Sequence, residues 1–141
     1  MADPLTQQDH DLLRTAREVM AARFREGYHH LAAALRTRSG KTFSGVHLEA
    51  KVGRVAVCAE AIALGAAAAA GDTELDTIVS VDRKGNVVSP CGMCRELISD
   101  YAPACRVIVP NRLGVEVVTI TELLPNKYRR RWRDEDALPD G

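Results

Sequence analysis

The chain has 141 residues, enough for one hydrophobic core but short for two, so a single domain is expected. Nineteen basic residues balance nineteen acidic ones, so no net field draws it to nucleic acid or to an anionic membrane, and neither is expected as a partner. Hydrophobic residues make up 46% and aromatic ones only 4%, which leaves Ala, Val, Leu and Ile to fill the core.

Residues 1–10 lack the basic start and apolar stretch of a secretory signal, and no later run approaches the roughly 20 apolar residues of a membrane span. A cytoplasmic location follows as the expectation. Pro4 and Thr6 mark the approach to a helix over 12–24, where Leu12, Leu13, Ala16, Val19, Met20 and Phe24 recur at spacings of three and four. Strands at 31–37 and 41–49 flank a Ser39-Gly40 turn. From Val57 a helical pattern runs to Ala70 and stops at Gly71-Asp72, and alanine on every face predicts a buried helix. A strand at 77–82, a turn at 83–86 and a helix over 91–101 follow, with Pro103 closing the helix. Strands at 106–109 and 115–119 enclose a turn, and a brief helix is expected at 121–124 before Pro125. The order αββαβαββα predicts an α/β domain over 1–128. Residues 129–141, with Arg129-Arg-Arg-Trp-Arg133 and then Asp134-Glu-Asp136, suit a flexible charged tail.

In a reducing compartment the four cysteines suit metal ligation or burial better than disulfides. Cys91 and Cys94 lie in Pro90-Cys-Gly-Met-Cys-Arg95 at a helix start, and Cys58 lies in Val57-Cys-Ala-Glu60 at another. A helix N-terminus carries partial positive charge and unpaired N–H groups, which favour a thiolate. Two such ends meeting would gather three thiolates around one ion. Three protein ligands leave a tetrahedral ion one position for water, the pattern of a catalytic site, and Glu60 is placed to take that water's proton. A structural zinc clip is the plainer alternative. A thioredoxin-like pair would explain Cys91 and Cys94 but not Cys58 and Glu60. Cys105, beside an apolar strand, suits a small buried hydrophobe.

Cys-Ala-Glu followed by Pro-Cys-Gly-x-Cys-Arg resembles the cytidine deaminase family of zinc-dependent nucleoside deaminases, over about residues 28–128. Thr42-Phe-Ser-Gly-Val46, the Ala-rich helix and Glu122-Leu-Leu-Pro125 resemble its blasticidin S deaminase branch. The resemblance implies a three-layer α/β/α fold with a mixed five-stranded sheet, Zn2+ on Cys58, Cys91 and Cys94, and a homotetramer. It implies a small-molecule substrate, a cytosine-type nucleoside (cytidine, deoxycytidine or a blasticidin S-like compound), converted to the uracil form with release of ammonia, as in pyrimidine salvage. Glu60 would carry protons to the ring nitrogen and the leaving amino group, and the backbone near Ala59 and Ser89 would hold the base. Three positions depart from the family pattern. The ribose-binding Asn-x-Glu reads His47-Leu-Glu49, which keeps both residues as substrate-binding candidates. The Arg that often follows Cys-Ala-Glu is Ala61, which makes Arg95 the candidate for offsetting thiolate charge. The stretch with a ring-stacking Phe reads Tyr28-His29-His30. By the same resemblance Tyr128 or Trp132 would approach a neighbouring subunit's site. Two further readings stand beside this one: a deaminase of another aminated heterocycle, and a zinc-stabilised binding module without turnover.

Overall fold

In the computed structural model, which describes residues 4–130, helix α1 (Gln7–Arg23) opens on a reciprocal cap. Thr6 Oγ1 accepts from the Asp9 N–H at 3.1 Å, and Asp9 Oδ2 accepts from the Thr6 N–H at 2.9 Å. The helix therefore begins ahead of the 12–24 stretch, because its first turn is held by polar caps that leave no apolar period. Leu12, Leu13, Ala16 and Met20 form its buried face.

The sheet comprises β1 (Leu31–Thr37), β2 (Thr42–Val46), β3 (Leu75–Asp82), the two-residue β4 (Val87–Val88), β5 (Arg106–Pro110) and β6 (Val115–Thr119). Five strands run in the order β2-β1-β3-β5-β6, with β4 paired on β3. The β3–β5 pair is parallel and the other pairs are antiparallel, so the sheet is mixed as expected. Side chains alternate across it. Ala32, Ala34, Val79, Val81, Ile108 and Val117 pack under α1. Ala33, Leu35, Ile78, Val107 and Val109 face the opposite side, where α2 (Ala59–Ala69) and α3 (Gly92–Tyr101) lie. One helix on one face and two on the other give three layers. No helix among the described residues is long and apolar enough to cross a membrane.

Three further local expectations are corrected. The second strand of the hairpin stops at Val46, because the chain then leaves β1's edge and Leu48 bridges Val57. A short 3-10 helix, Gly53–Val55, lies between them. Residues 121–126 form turns in place of the brief helix, since Pro125 has no N–H to continue a helix and Asn126 has a left-handed φ of 55°. Finally, α2 is buried on one side only: Gly65, Ala66, Ala68 and Ala69 are exposed. Alanine favours a helix without needing burial, so its abundance marked the helix and not its surroundings. Trp132 and all but the first two residues of the 129–141 segment lie outside the described residues.

Two contacts fix the layers. Asp9, fully buried, receives Arg106 through both guanidinium nitrogens at 2.9 and 2.7 Å and Arg36 at 3.3 Å. Arg36 also donates to Asp76 at 2.7 Å, and both arginines donate to Thr77 Oγ1. On the opposite face, β2 lies directly on the backbone of α2. A Cβ at Gly45 would stand 2.7 Å from Ala63 N and 2.9 Å from Ile62 Cβ.

Asp9→Asn should cost about 3 kcal/mol in urea unfolding at neutral pH, as expected on removing one partner of a buried ion network. Burial opposes ionisation of Asp9, but the arginine and Thr6 hydrogen bonds outweigh it and hold the carboxyl far below the usual carboxylate range. Stability from this group is therefore present above the unfolded value of about 4 and lost as pH falls further, so the gap between wild type and variant should narrow in acid. Gly45→Ala should lower stability by roughly 1–3 kcal/mol through overpacking against α2, checked in the same unfolding experiment.

Candidate active site

Cys58 and Cys91 are the N-cap residues of α2 and α3, both with extended backbone, and neither side chain caps its helix. The thiols turn instead towards each other, with Sγ atoms 3.6 Å apart. Cys94, in the first turn of α3, completes a group whose three sulfur atoms all lie within 4.8 Å of one another. The meeting is a product of topology. After α2 the chain runs out along β3 and folds back as β4, pairing Val88 with Ser80, and this delivers Cys91 beside the start of α2.

The donor set fits a thiophilic tetrahedral ion. Sulfurs about 2.3 Å from a shared zinc would be about 3.8 Å apart, close to the spacing found. The electrostatics agree. Burial raises the Cys58 thiol, and the neighbouring Cys91 adds to this. Burial and then the charge of Glu60 push Cys94 far above the ordinary thiol range. Burial also works against ionisation of Cys91, but the Cys94 and Met93 N–H groups and the other two thiols outweigh it and bring its pKa down. Three thiolates side by side require a cation, and the helix ends supply only part of that charge.

Glu60 lies in the first turn of α2 and is buried. Desolvation raises its carboxyl above the ordinary value, and hydrogen bonds from its own N–H and the Ser80 hydroxyl offset part of the rise. Ser80, buried on β3, was missed in the sequence. Its signal was there, one hydroxyl inside the apolar run Ile78-Val79-Ser80-Val81.

The remaining candidates divide. Leu48 and Val57 exchange backbone hydrogen bonds of 2.9 and 3.0 Å, so the register of this antiparallel bridge sets His47 across from Cys58, the first thiol of the cluster. His47 Nε2 lies 3.6 Å from Glu49 Oε2. His29 Nδ1 donates to the His47 carbonyl at 2.9 Å, and the His30 N–H donates to His47 Nδ1 at 2.8 Å. Ala59 is fully buried at the start of α2, and Ser89 is exposed just before Pro90. Arg95 donates to the carbonyls of Pro90 at 2.9 Å and Leu123 at 3.0 Å, bracing the segment that carries Cys91 against the 121–126 turns. Tyr128 is exposed. Cys105 is sealed in the core, its thiol pushed up to about 12 chiefly by burial.

Residues 6–109 match the model of the cytidine and deoxycytidylate deaminase zinc-binding region. The chain belongs to the cytidine deaminase family. It is 48% identical over 134 residues to the blasticidin-S deaminase of Bacillus cereus, covering 89% of this chain and 96% of that protein. Identity to the cytidine deaminase of Halalkalibacterium halodurans is 31% over 100 residues, 70% of this chain and 76% of that one. The crystal structure of cytidine deaminase from Mycobacterium leprae superposes with a TM-score of 0.75 at 27% identity, over 86% of this chain and all of that one. That of Burkholderia pseudomallei gives 0.73 at 28%, over 88% and 100%. Cys58, Cys91 and Cys94 are thus positioned to hold the zinc of this deaminase family.

Cys58→Ala, Cys91→Ala and Cys94→Ala should each lose stoichiometric zinc after dialysis against a weak chelator, measured by plasma mass spectrometry. Cys105→Ala should retain it. Zinc retention in all three site variants would remove the cluster from consideration.

Proposed function

We propose that this family member is a zinc-dependent hydrolytic deaminase of cytosine-type nucleosides, replacing the ring amino group by oxygen and releasing ammonia. The observation that carries the reading is the placement of Glu60, a buried carboxyl in the first turn of the helix whose N-cap thiol opens the three-thiol cluster. Cys58, Cys91 and Cys94 would hold the zinc, which when bound would lower the pKa of the attacking water from about 15.7 towards 7.

The chain's own groups supply the rest. Glu60 carries one proton of the attacking water to the ring nitrogen. It then takes the remaining proton from the hydroxyl added to the amino-bearing carbon and delivers it to the amino group as the C–N bond breaks, leaving a C=O on the ring and releasing ammonia. Ser80, whose hydroxyl favours the ionised form of the same carboxyl, helps to hold it for that transfer. The backbone at Ala59 and Ser89 brackets the cluster from the two helix starts and holds the base edge. Arg95 keeps the Cys91 segment in place through two carbonyls, a positioning role distinct from neutralising thiolate charge. The 48% identity to a blasticidin-S deaminase makes blasticidin S the first substrate to test, with cytidine and deoxycytidine beside it. A different aminated heterocycle is favoured by His47 standing where the family pattern has Asn and by Tyr28-His29-His30 standing in the stretch with the ring-stacking Phe.

Glu60→Gln should keep its zinc and its cooperative unfolding while ammonia release falls by about 10²- to 10⁴-fold, the range for loss of a general acid/base. Turnover at the wild-type rate in this variant would refute the role of Glu60. Absence of ammonia release by wild-type protein from a panel of aminated nucleosides and bases would refute the enzyme reading.

A further inference from the structure

Cys91 is the exposed member of the thiol cluster. Cys58 is half-buried, while Cys94 and Cys105 are buried. The surface around Cys91 is open: a Cβ at Gly92 would meet nothing within 4 Å, and Met93 is 80% exposed. A molecule the size of hydrogen peroxide can therefore reach the Cys91 sulfur while Cys94 stays screened.

Cys58 Sγ stands 3.6 Å from that sulfur. A disulfide needs about 2.05 Å, so a gap of roughly 1.5 Å has to close. The two side chains leave from extended N-cap residues on different helices, and rotation about their own bonds can close it without unwinding either helix. Cys94 is placed differently, inside the first turn of α3. A link from Cys91 to Cys94 would tie one turn of one helix. A link from Cys58 to Cys91 joins residues 33 apart in sequence and pins two helix starts together. It would also consume two of the three zinc ligands, and a single remaining thiolate is too few to hold the ion.

We propose that Cys58 and Cys91 form a peroxide-responsive disulfide that releases the zinc and holds the zinc-free fold together. The Cys91 sulfur attacks one oxygen of hydrogen peroxide: the S–O bond forms, the O–O bond breaks, and the departing hydroxide is protonated to water. The Cys58 sulfur then attacks the sulfenic sulfur: the S–S bond forms, the S–O bond breaks, and a second hydroxide leaves as water. In all, two thiolates give up two electrons, the peroxide takes them with two protons, and two waters result. The link removes chain entropy from the unfolded state and so offsets stability lost with the metal. A thiol reductant and fresh zinc reverse the change. The inference rests on the metal site and is independent of which aminated compound the protein turns over.

Zinc-loaded protein treated with hydrogen peroxide should release about one zinc per chain, followed with a zinc-binding dye. Peptide mapping by mass spectrometry after alkylation should find Cys58 joined to Cys91. Dithiothreitol with added zinc should restore the free thiols and the bound metal. Cys105→Ala should respond as wild type does, since that thiol is sealed in the core. The oxidised, zinc-free protein should melt about 5–10 °C above the reduced, zinc-free form, as expected for a closed loop of this length. A Cys91–Cys94 link, sulfinic or sulfonic acid at Cys91 without a disulfide, or zinc retained with all thiols intact overturns the switch and leaves the metal site standing. So does a melting temperature no higher than that of the reduced form, or a response that disappears in Cys105→Ala. Wild-type protein that takes up no zinc at the outset overturns the metal assignment and the switch together.

Discussion

Two helices must begin at one point for Cys58 and Cys91 to approach within 3.6 Å, and most of the architecture follows from that requirement. Helix ends repel one another when their positive poles meet, so the convergence of α2 and α3 is stable only with negative charge between them. Thiolates supply it, and a cation then reconciles three thiolates with one another. The sheet exists in the form that allows this. Its parallel β3–β5 pair needs a crossover, α3 is that crossover, and the short β4 hairpin sets where it starts.

The opposite face of the sheet answers a different demand. Helix α1 carries no part of the site, and it is held by a fully buried carboxylate under two arginines from β1 and β5. Such a network adds little net stability over an apolar equivalent, but it is unforgiving of displacement. It ties the N-terminal helix to two strands that are separated in the sheet by β3, so the three-layer arrangement has one register.

Legibility in the sequence tracked the range of the interactions. Both thiol-bearing helix starts, the hairpin at Ser39-Gly40 and the strand pair around 111–114 were readable because each is specified within about a dozen residues by caps, turns and apolar period. The Asp9 network was not, because its members are brought together only by folding, and single charged residues carry no sign of a partner far along the chain. The same holds for His47. The motif His47-Leu-Glu49 marked the place, but which ring nitrogen is free depends on the amide of His30, which lies across the β1–β2 pairing. The failed helix at 121–124 shows the converse: a short apolar run has a local pattern, and Pro125 and Asn126 override it.

The alanine-rich α2 has an electrical consequence beyond its packing. Across Ala59–Ala69 the only ionisable side chain is Glu60, so the helix is a bare dipole with its single charge at the end that meets the thiols. Ordinary surface helices scatter lysines and glutamates along their length, and those charges blur the field at either pole. Here nothing does. The polarity of the peptide groups reaches the thiol cluster undiluted, and the exposed positions Ala66 and Ala69 become dials by which a distant charge can be set against the reacting centre without touching it.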